Sequence, residues 1–224
     1  MPNTENEEYK KYLRDYEFTD AEIVDETFCS EPDEECAELE RKDVLPRSFT
    51  ASNSKFVGCT FLVDDLWDIE LISCEFVNCS FRSLDPNVFI ANNYDWRLLR
   101  CKFYDCEFSA FETYFGTADD CEFHNSKFDD VTFRNFYLGS EKFYRCILDY
   151  VSCDRTIAKS LSLHECKFDP KEVELTKCTI NTLSVEFCEG ATVDTIDEMN
   201  KDENTKIDFV YLDGFRHRSL ENRL

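Results

Sequence analysis

Across most of this chain every fifth residue is apolar, and no other feature constrains the fold as strongly. The tripeptide Cys-x-Phe recurs as Cys59-Thr-Phe61, Cys74-Glu-Phe76, Cys79-Ser-Phe81, Cys101-Lys-Phe103, Cys106-Glu-Phe108, Cys121-Glu-Phe123 and Cys166-Lys-Phe168. Phe123, Phe128, Phe133, Leu138, Phe143 and Leu148 carry the spacing on without a break. A helix needs apolar residues three and four apart and a strand needs alternation, so a period of five belongs to neither.

A wound repeat satisfies it. We take the Phe or Leu as the centre of each step and the residue two before it as its inner partner. Centres run from Ala51 to Trp96, step by seven to Phe103, continue to Phe168, step by seven again to Leu175 and end near Val185. That reading contains 27 pentapeptides and two 2-residue insertions, the second holding the turn pair Asp169-Pro170. Four pentapeptides per coil stack residues about twenty apart, giving an expected column of Phe61, Phe81, Phe103, Phe123, Phe143 and Leu163. Its inner partners are Cys59, Cys79, Cys101, Cys121, Glu141 and Leu161. A second face sets large inner partners (Phe49, Ile69, Phe89, Phe111, Val131, Val151, Val173) beside smaller centres such as Ala51, Ala91, Thr113 and Cys153. No pentapeptide can bury its own centre, whereas a stack makes a continuous core.

The pattern of a small residue, a polar residue, Leu or Phe and two variable positions resembles the pentapeptide-repeat family over residues 48–189. Tyr16-Glu-Phe18, Ala21-Glu-Ile23 and Glu26-Thr-Phe28 resemble three further repeats. Cys in place of Ala at the inner position departs from the family pattern. The resemblance implies an all-β chain wound as a right-handed quadrilateral β-helix. Three regions are expected: an acidic N-terminal part, 1–47, with first repeats and an excursion loop at 30–47; the β-helix, 48–189; and a short α/β tail, 190–224. A short helix is expected from Asp33 to Lys42. In the tail, Val193, Ile196 and Met199 read as a helix and Lys206 to Phe215 as a strand that caps the last coil. The family implies that such a tail pairs two copies into a homodimer.

Nine of the 13 cysteines are inner partners: Cys59, Cys74, Cys79, Cys101, Cys106, Cys121, Cys146, Cys166 and Cys178. Cys is a small, readily buried residue that fits beside Phe. The recurring unit is CxF and not the CxxC of zinc sites, so no metal and no cofactor is expected. The start, MPNTENEEYKKY, has no apolar signal core, and no stretch approaches 18 apolar residues. A cytoplasmic location, reduced thiols and no membrane contact are therefore expected. His124 and His164 each follow a centre and are expected to point outward, His217 lies between Arg216 and Arg218, and no Ser-His-Asp or Cys-His pairing, phosphate loop or Gly-rich turn is present, so the chain reads as no enzyme. Asp64 and Glu141 fall at inner positions, where a lone carboxylate is costly.

Formal net charge is −23, which disfavours direct nucleic-acid binding. Residues 1–43 contribute 16 acidic and 5 basic side chains. In the expected winding one face gathers Asp64, Asp65, Asp68, Asp85, Glu107, Asp129, Asp130, Asp149 and Asp169 against Lys127 and Lys167 alone, a net of −7. Such a stripe on a rod of duplex proportions resembles the Qnr-type quinolone-resistance and toxin-immunity proteins of the family. That resemblance implies a duplex-DNA mimic binding the basic surface of DNA gyrase or topoisomerase IV. The alternative is a scaffold that binds another protein through outward aromatics such as Tyr104, Tyr114, Phe115 and Tyr144.

Overall fold

The computed structural model describes residues 16–28, 47–63, 66–83, 96–169, 171–200 and 203–217. The fold is a four-sided β-helix. Short parallel strands stack coil upon coil, and along one side Ile23, Phe56, Phe76, Phe103, Phe123, Phe143, Leu163, Val185 and Leu212 pair in succession as nine rungs. At about 4.8 Å per rung the rod is about 40 Å long. The expected helix from Asp33 to Lys42 and the 30–47 loop lie almost wholly outside the described residues.

Five-residue steps need a corner after each centre, and the backbone makes it with a single residue in the left-handed region. Positive φ recurs at Asn53, Ser73, Asn78, Asp105, Asp120, Asn125 and Asn135, and less favourably at Arg100, Arg145 and Tyr150. Asn and Asp tolerate this conformation because their short side chains bond locally. The amide of Asn125 donates to the Asp105 carboxylate one coil away, at 3.2 Å. Corner N–H groups are satisfied by the next coil: Asn125 N reaches Tyr144 O at 2.8 Å and Arg145 N reaches His164 O at 2.8 Å.

Inside, two adjacent Phe columns fill the coil. In the first, Phe56, Phe76, Phe103, Phe123 and Phe143 stack with centroids 5.0, 4.8, 4.8 and 4.8 Å apart and planes within 9°. The second holds Phe61, Phe81, Phe108 and Phe128, spaced 4.5, 4.8 and 4.6 Å. Between the columns the rings meet edge to face, as Phe103 does with Phe108 at 5.5 Å and 69°. Strand spacing enforces the parallel stacking, and the edge contacts supply the geometry that aromatic quadrupoles prefer.

This corrects the expected single column. Phe61 and Phe81 stand in one column, and Phe103, Phe123 and Phe143 in its neighbour. The reason is the length of the first insertion. Leu71 pairs with Leu98, and Phe81 with Phe108, each 27 residues on, whereas Leu98 pairs with Ala118 at the regular 20. Seven extra residues, not two, lie between Ser83 and Trp96. Trp96 is accordingly an inner partner, paired with Ile69, and not a centre. The second face divides in the same way: Phe49, Ile69, Trp96, Gly116 and Phe136 form one inner column, and Phe111, Val131, Val151 and Val173 another. Phe89, Ala91 and Asp85 lie outside the described residues. Size compensation still operates, since a Cβ on Gly116 would strike the Phe136 ring. The second insertion is two residues as expected, Val151 pairing with Val173 while Leu148 pairs with Phe168.

At the far end, Tyr16–Thr19, Glu22–Val24 and Thr27–Phe28 pair with the first full coil. In the tail, Thr192 caps the helix Val193–Met199, which buries Ile196 and Met199. The strand Lys206–Leu212 then pairs parallel to Thr179–Glu186, and Phe215–His217 folds back antiparallel on it.

Candidate functional site

The register decides where the acidic residues stand. Glu107, Asp129, Asp149 and Asp169 follow one stack, the one that continues through Ser80–Arg82 and Thr60–Leu62. Asp68 belongs to Leu66–Ile72, which pairs with Arg47–Ser52 and Trp96–Leu99 on another side. Asp64, Asp65 and Asp85 lie outside the described residues. The expected nine-residue stripe is therefore not one face. On the observed face Glu107, Asp129, Asp130, Asp149 and Asp169 stand against Arg82, Lys127 and Lys167. Lys127 Nζ lies 2.6 Å from Asp129 and 3.9 Å from Asp149. Asp130 occupies a left-handed corner, at φ 57°, which suits Asp whatever the partner.

Neighbouring sides carry balanced charge ladders. Lys55 bonds Glu75 at 2.7 Å, and Glu122 is bracketed by Lys102 at 3.5 Å and Lys142 at 3.2 Å. Burial pushes Glu122 up, but Lys142, His124 and Lys102 outweigh it and hold the carboxyl below its usual range. Arg134 bridges Glu112 at 2.8 Å and Asp154 at 3.2 Å. Opposite charges directly across strands stabilise a sheet by a few tenths of a kcal/mol, about 0.2–1.

On the side of Phe103 the outward residues form a ladder of rings. His124 stacks between Tyr104 at 4.8 Å and Tyr144 at 4.7 Å, and His164 follows Tyr144 at 5.9 Å and meets Phe187 at 5.4 Å. Two of the three histidines thus serve as rungs. Tyr114 is covered by the Arg134 guanidinium, 5.1 Å from its ring. Phe115 is half exposed.

The inner positions have a chemistry that size alone did not suggest. The inner thiols donate to main-chain carbonyls, several of them on centres of the preceding coil: Cys79 to Phe56 O at 3.4 Å, Cys101 to Leu71 O at 3.3 Å, Cys166 to Phe143 O at 3.3 Å. Hydroxyls do the same, with Thr156 on Phe133 O at 3.2 Å and Thr205 on Leu175 O at 3.1 Å. They also accept the N–H of the coil above, as Ser126 does from Cys106 N and Thr205 from Cys178 N, both at 3.2 Å. The signal was present in the sequence as the interchange of Cys with Ser and Thr. All eleven described cysteines are free thiols. Burial pushes the Cys153 and Cys178 thiols up, so they are poor nucleophiles. Adding a reductant is expected to leave the melting temperature of the protein unchanged, and native mass spectrometry to find no bound zinc. A stoichiometric metal, or a fall in melting temperature, would contradict this assignment.

Glu141 points inward, as its position in the repeat requires, and is 1 % exposed. Its Oε2 accepts from Cys121 N at 3.1 Å, the same role that Ser126 and Thr205 play. Burial raises its pKa to about 8, with the charges of Asp119 and Asp120 adding to the shift against the opposing Cys121 hydrogen bonds. Asp64, the other inward carboxylate of the sequence reading, lies outside the described residues. Among the described residues no three His, Cys, Asp or Glu side chains cluster to hold a metal.

Four five-residue steps per coil, left-handed corners and paired Phe columns settle the architecture. The chain is a four-sided rod wound from five-residue steps. No known family's sequence profile matches it, and no curated protein matches it. Among solved structures the rod is similar to full-length QnrB1, a plasmid-mediated fluoroquinolone resistance protein, at 14% identity and TM-score 0.38, covering 86% of this chain and 93% of that one. A trypsin-treated variant of that protein matches at 14% identity and TM-score 0.28, covering 86% and 91%.

Proposed function

We propose that the rod is a non-enzymatic binding protein that docks one long side against a basic protein surface. The observation that supports this is the column Asp129, Asp149, Asp169. Asp129 and Asp149 are direct cross-strand partners, and Asp169 follows Phe168, the partner of Leu148. Like charges placed opposite one another destabilise a sheet, and solubility does not require them in register. A cationic partner would relieve the repulsion that Lys127 offsets only in part. Glu107 and Asp130 border the same column, while Asp68 would join only through a partner that wraps the corner. A type II topoisomerase, DNA gyrase or topoisomerase IV, is the first partner to test, since its duplex-binding surface is basic. In that case the rod is a duplex mimic that confers resistance to a drug or toxin.

The test compares two charge-reversal pairs of equal net change. Asp129→Lys with Asp149→Lys is expected to weaken binding to gyrase at least about tenfold, in an interaction that falls with salt. Glu174→Lys with Glu189→Lys, exposed on other parts of the rod, should change it little. Supercoiling and its inhibition by a quinolone give the functional readout. Equal losses from both pairs would assign the effect to net charge.

A second reading has its own observation, the outward ladder Tyr104, His124, Tyr144, His164, ending in Phe187, which is 67% exposed. An aromatic ladder suits a scaffold that binds an uncharged partner, or a second copy aligned by the exposed Phe215 of the 190–224 tail. Gyrase that ignores the wild-type rod, with Tyr144→Ala removing a protein captured from the host, would favour the scaffold. Sedimentation of wild type against Phe215→Asp tests the homodimer.

A further inference from the structure

The two ends of the rod are closed to different degrees. At the C-terminal end the helix Val193–Met199 buries Ile196 and Met199, at 0% and 3% exposure, and Thr192 closes its first turn with a capping box. At the other end the centres Phe18, Ile23 and Phe28 pair with Ala51, Phe56 and Phe61. Among the described residues no strand lies on their outer side. Ala51, Phe56 and Phe61, with a coil on each side, are 0%, 0% and 1% exposed, whereas Phe18 and Ile23 are only partly buried. The flat ring stack of the interior also ends here. Tyr16 and Phe18 meet Phe28 edge to face, at 5.2 Å and 80° and at 5.7 Å and 71°. An apolar end bounded by open strand edges is a surface that proteins cover.

The residues that lead into this end have the pattern to cover it. Thr4-Glu5-Asn6-Glu7 is a capping-box sequence. Tyr9, Tyr12 and Leu13 follow at i, i+3 and i+4, a single stripe of a helix. Glu7, Lys11 and Arg14 fall on the opposite side, and Glu7 precedes Lys11 by four, the favourable order for that pair. Residues 4–15 as a helix measure about 18 Å by 10–12 Å. The sides of the end coil are strands of three to four residues, about 10–13 Å long, so the helix spans it. A helix of this length is marginal alone in water. It needs an apolar face, and the end formed by Phe18, Ile23 and Phe28 is joined directly to it. The rim of that end carries Glu17, Asp20, Glu22, Asp25 and Glu26 and no cation, while Lys10, Lys11 and Arg14 lie in the half of the segment next to the junction.

We propose that residues 4–15 form an amphipathic helix that docks Tyr9, Tyr12 and Leu13 on the end formed by Phe18, Ile23 and Phe28. The occupant of this surface is the chain's own segment, with the basic half of the helix against the acidic rim. The contact is independent of the acidic and aromatic sides of the rod and of any partner bound there.

Hydrogen exchange of the full chain, followed by mass spectrometry, tests this. Tyr9→Gln with Leu13→Gln removes the stripe and keeps both charge and helix propensity. The amides of Tyr16–Thr19 and Glu22–Val24 should then exchange at least about tenfold faster, since an uncovered end opens more often. Those of Lys206–Leu212, at the far end, should not change. Glu8→Gln with Lys11→Gln, on the polar side of the helix, should leave both ends as they are. If exchange at the far end shows that the double variant does not fold, Leu13→Gln alone takes its place. Three results would overturn the proposal. The first is unchanged exchange at the Tyr16 end of a folded stripe variant, which would leave that end to some other partner. The second is equal acceleration by the polar-side pair. The third is protection in the wild type that disappears on dilution, which would make a second copy the cover.

Discussion

Phe103→Ala is expected to destabilise the rod by about 3–5 kcal/mol, the range for removing a fully buried aromatic ring. Phe103 is 1% exposed and sits midway in its column, 4.8 Å from Phe76 on one side and 4.8 Å from Phe123 on the other. It also meets Phe81 and Phe108 edge to face, at 5.8 and 5.5 Å. Four ring contacts vanish together. The walls of the coil are tied by backbone hydrogen bonds on both sides, such as Lys102 N to Cys74 O at 2.9 Å, so they cannot close on the hole. Chemical denaturation of the variant and of Phe115→Ala, which removes a half-exposed ring, gives the comparison. The surface truncation should stay within about 0.5 kcal/mol. A loss below about 1 kcal/mol for Phe103→Ala would mean that the column does not carry the core.

Glu141→Gln should stabilise the protein at neutral pH. The folded carboxyl titrates at about 8 against an ordinary 4.5. Between those values the folded state keeps a proton that the unfolded chain has released. Stability therefore falls as pH rises through this window, by about 1.4 kcal/mol per unit at most, and the contribution of this group levels off above pH 8. Glutamine cannot ionise, so the variant escapes the decline. At pH 7 it should be the more stable by about 3 kcal/mol, and the two should converge toward pH 4.5. Other titrating groups cancel in the difference between the two proteins, which isolates Glu141. A difference that stays flat from pH 5 to 8 would exclude a buried, neutral carboxyl at this position.

Both predictions rest on positions that the local repeat identifies, and the division between what is local and what is not runs through the whole molecule. The five-residue period was legible because each step must bury its own centre and turn its own corner. Phe at one position, Cys, Ser or Thr two before it and Asn or Asp two after it each answer a need met within one coil. The inward side of Glu141 was legible for the same reason. The stacking of one coil on another was not. A step of seven between centres and a step of twelve are both two residues out of phase with a period of five, so the pattern cannot say whether an excursion holds two extra residues or seven. Only the pairing of Leu71 with Leu98 distinguishes them. With four steps to a coil, one pentapeptide miscounted turns everything beyond it by a side of the square. That single turn moved Phe103 into the column of Phe76 and separated Asp68 from Asp129 and Asp149. Composition and period by themselves determined that this chain winds into a rod with Phe and Cys inside. Which side chains share a face, and so which surface a partner meets, was decided by hydrogen bonds between residues 20 or 27 apart, which no local pattern records.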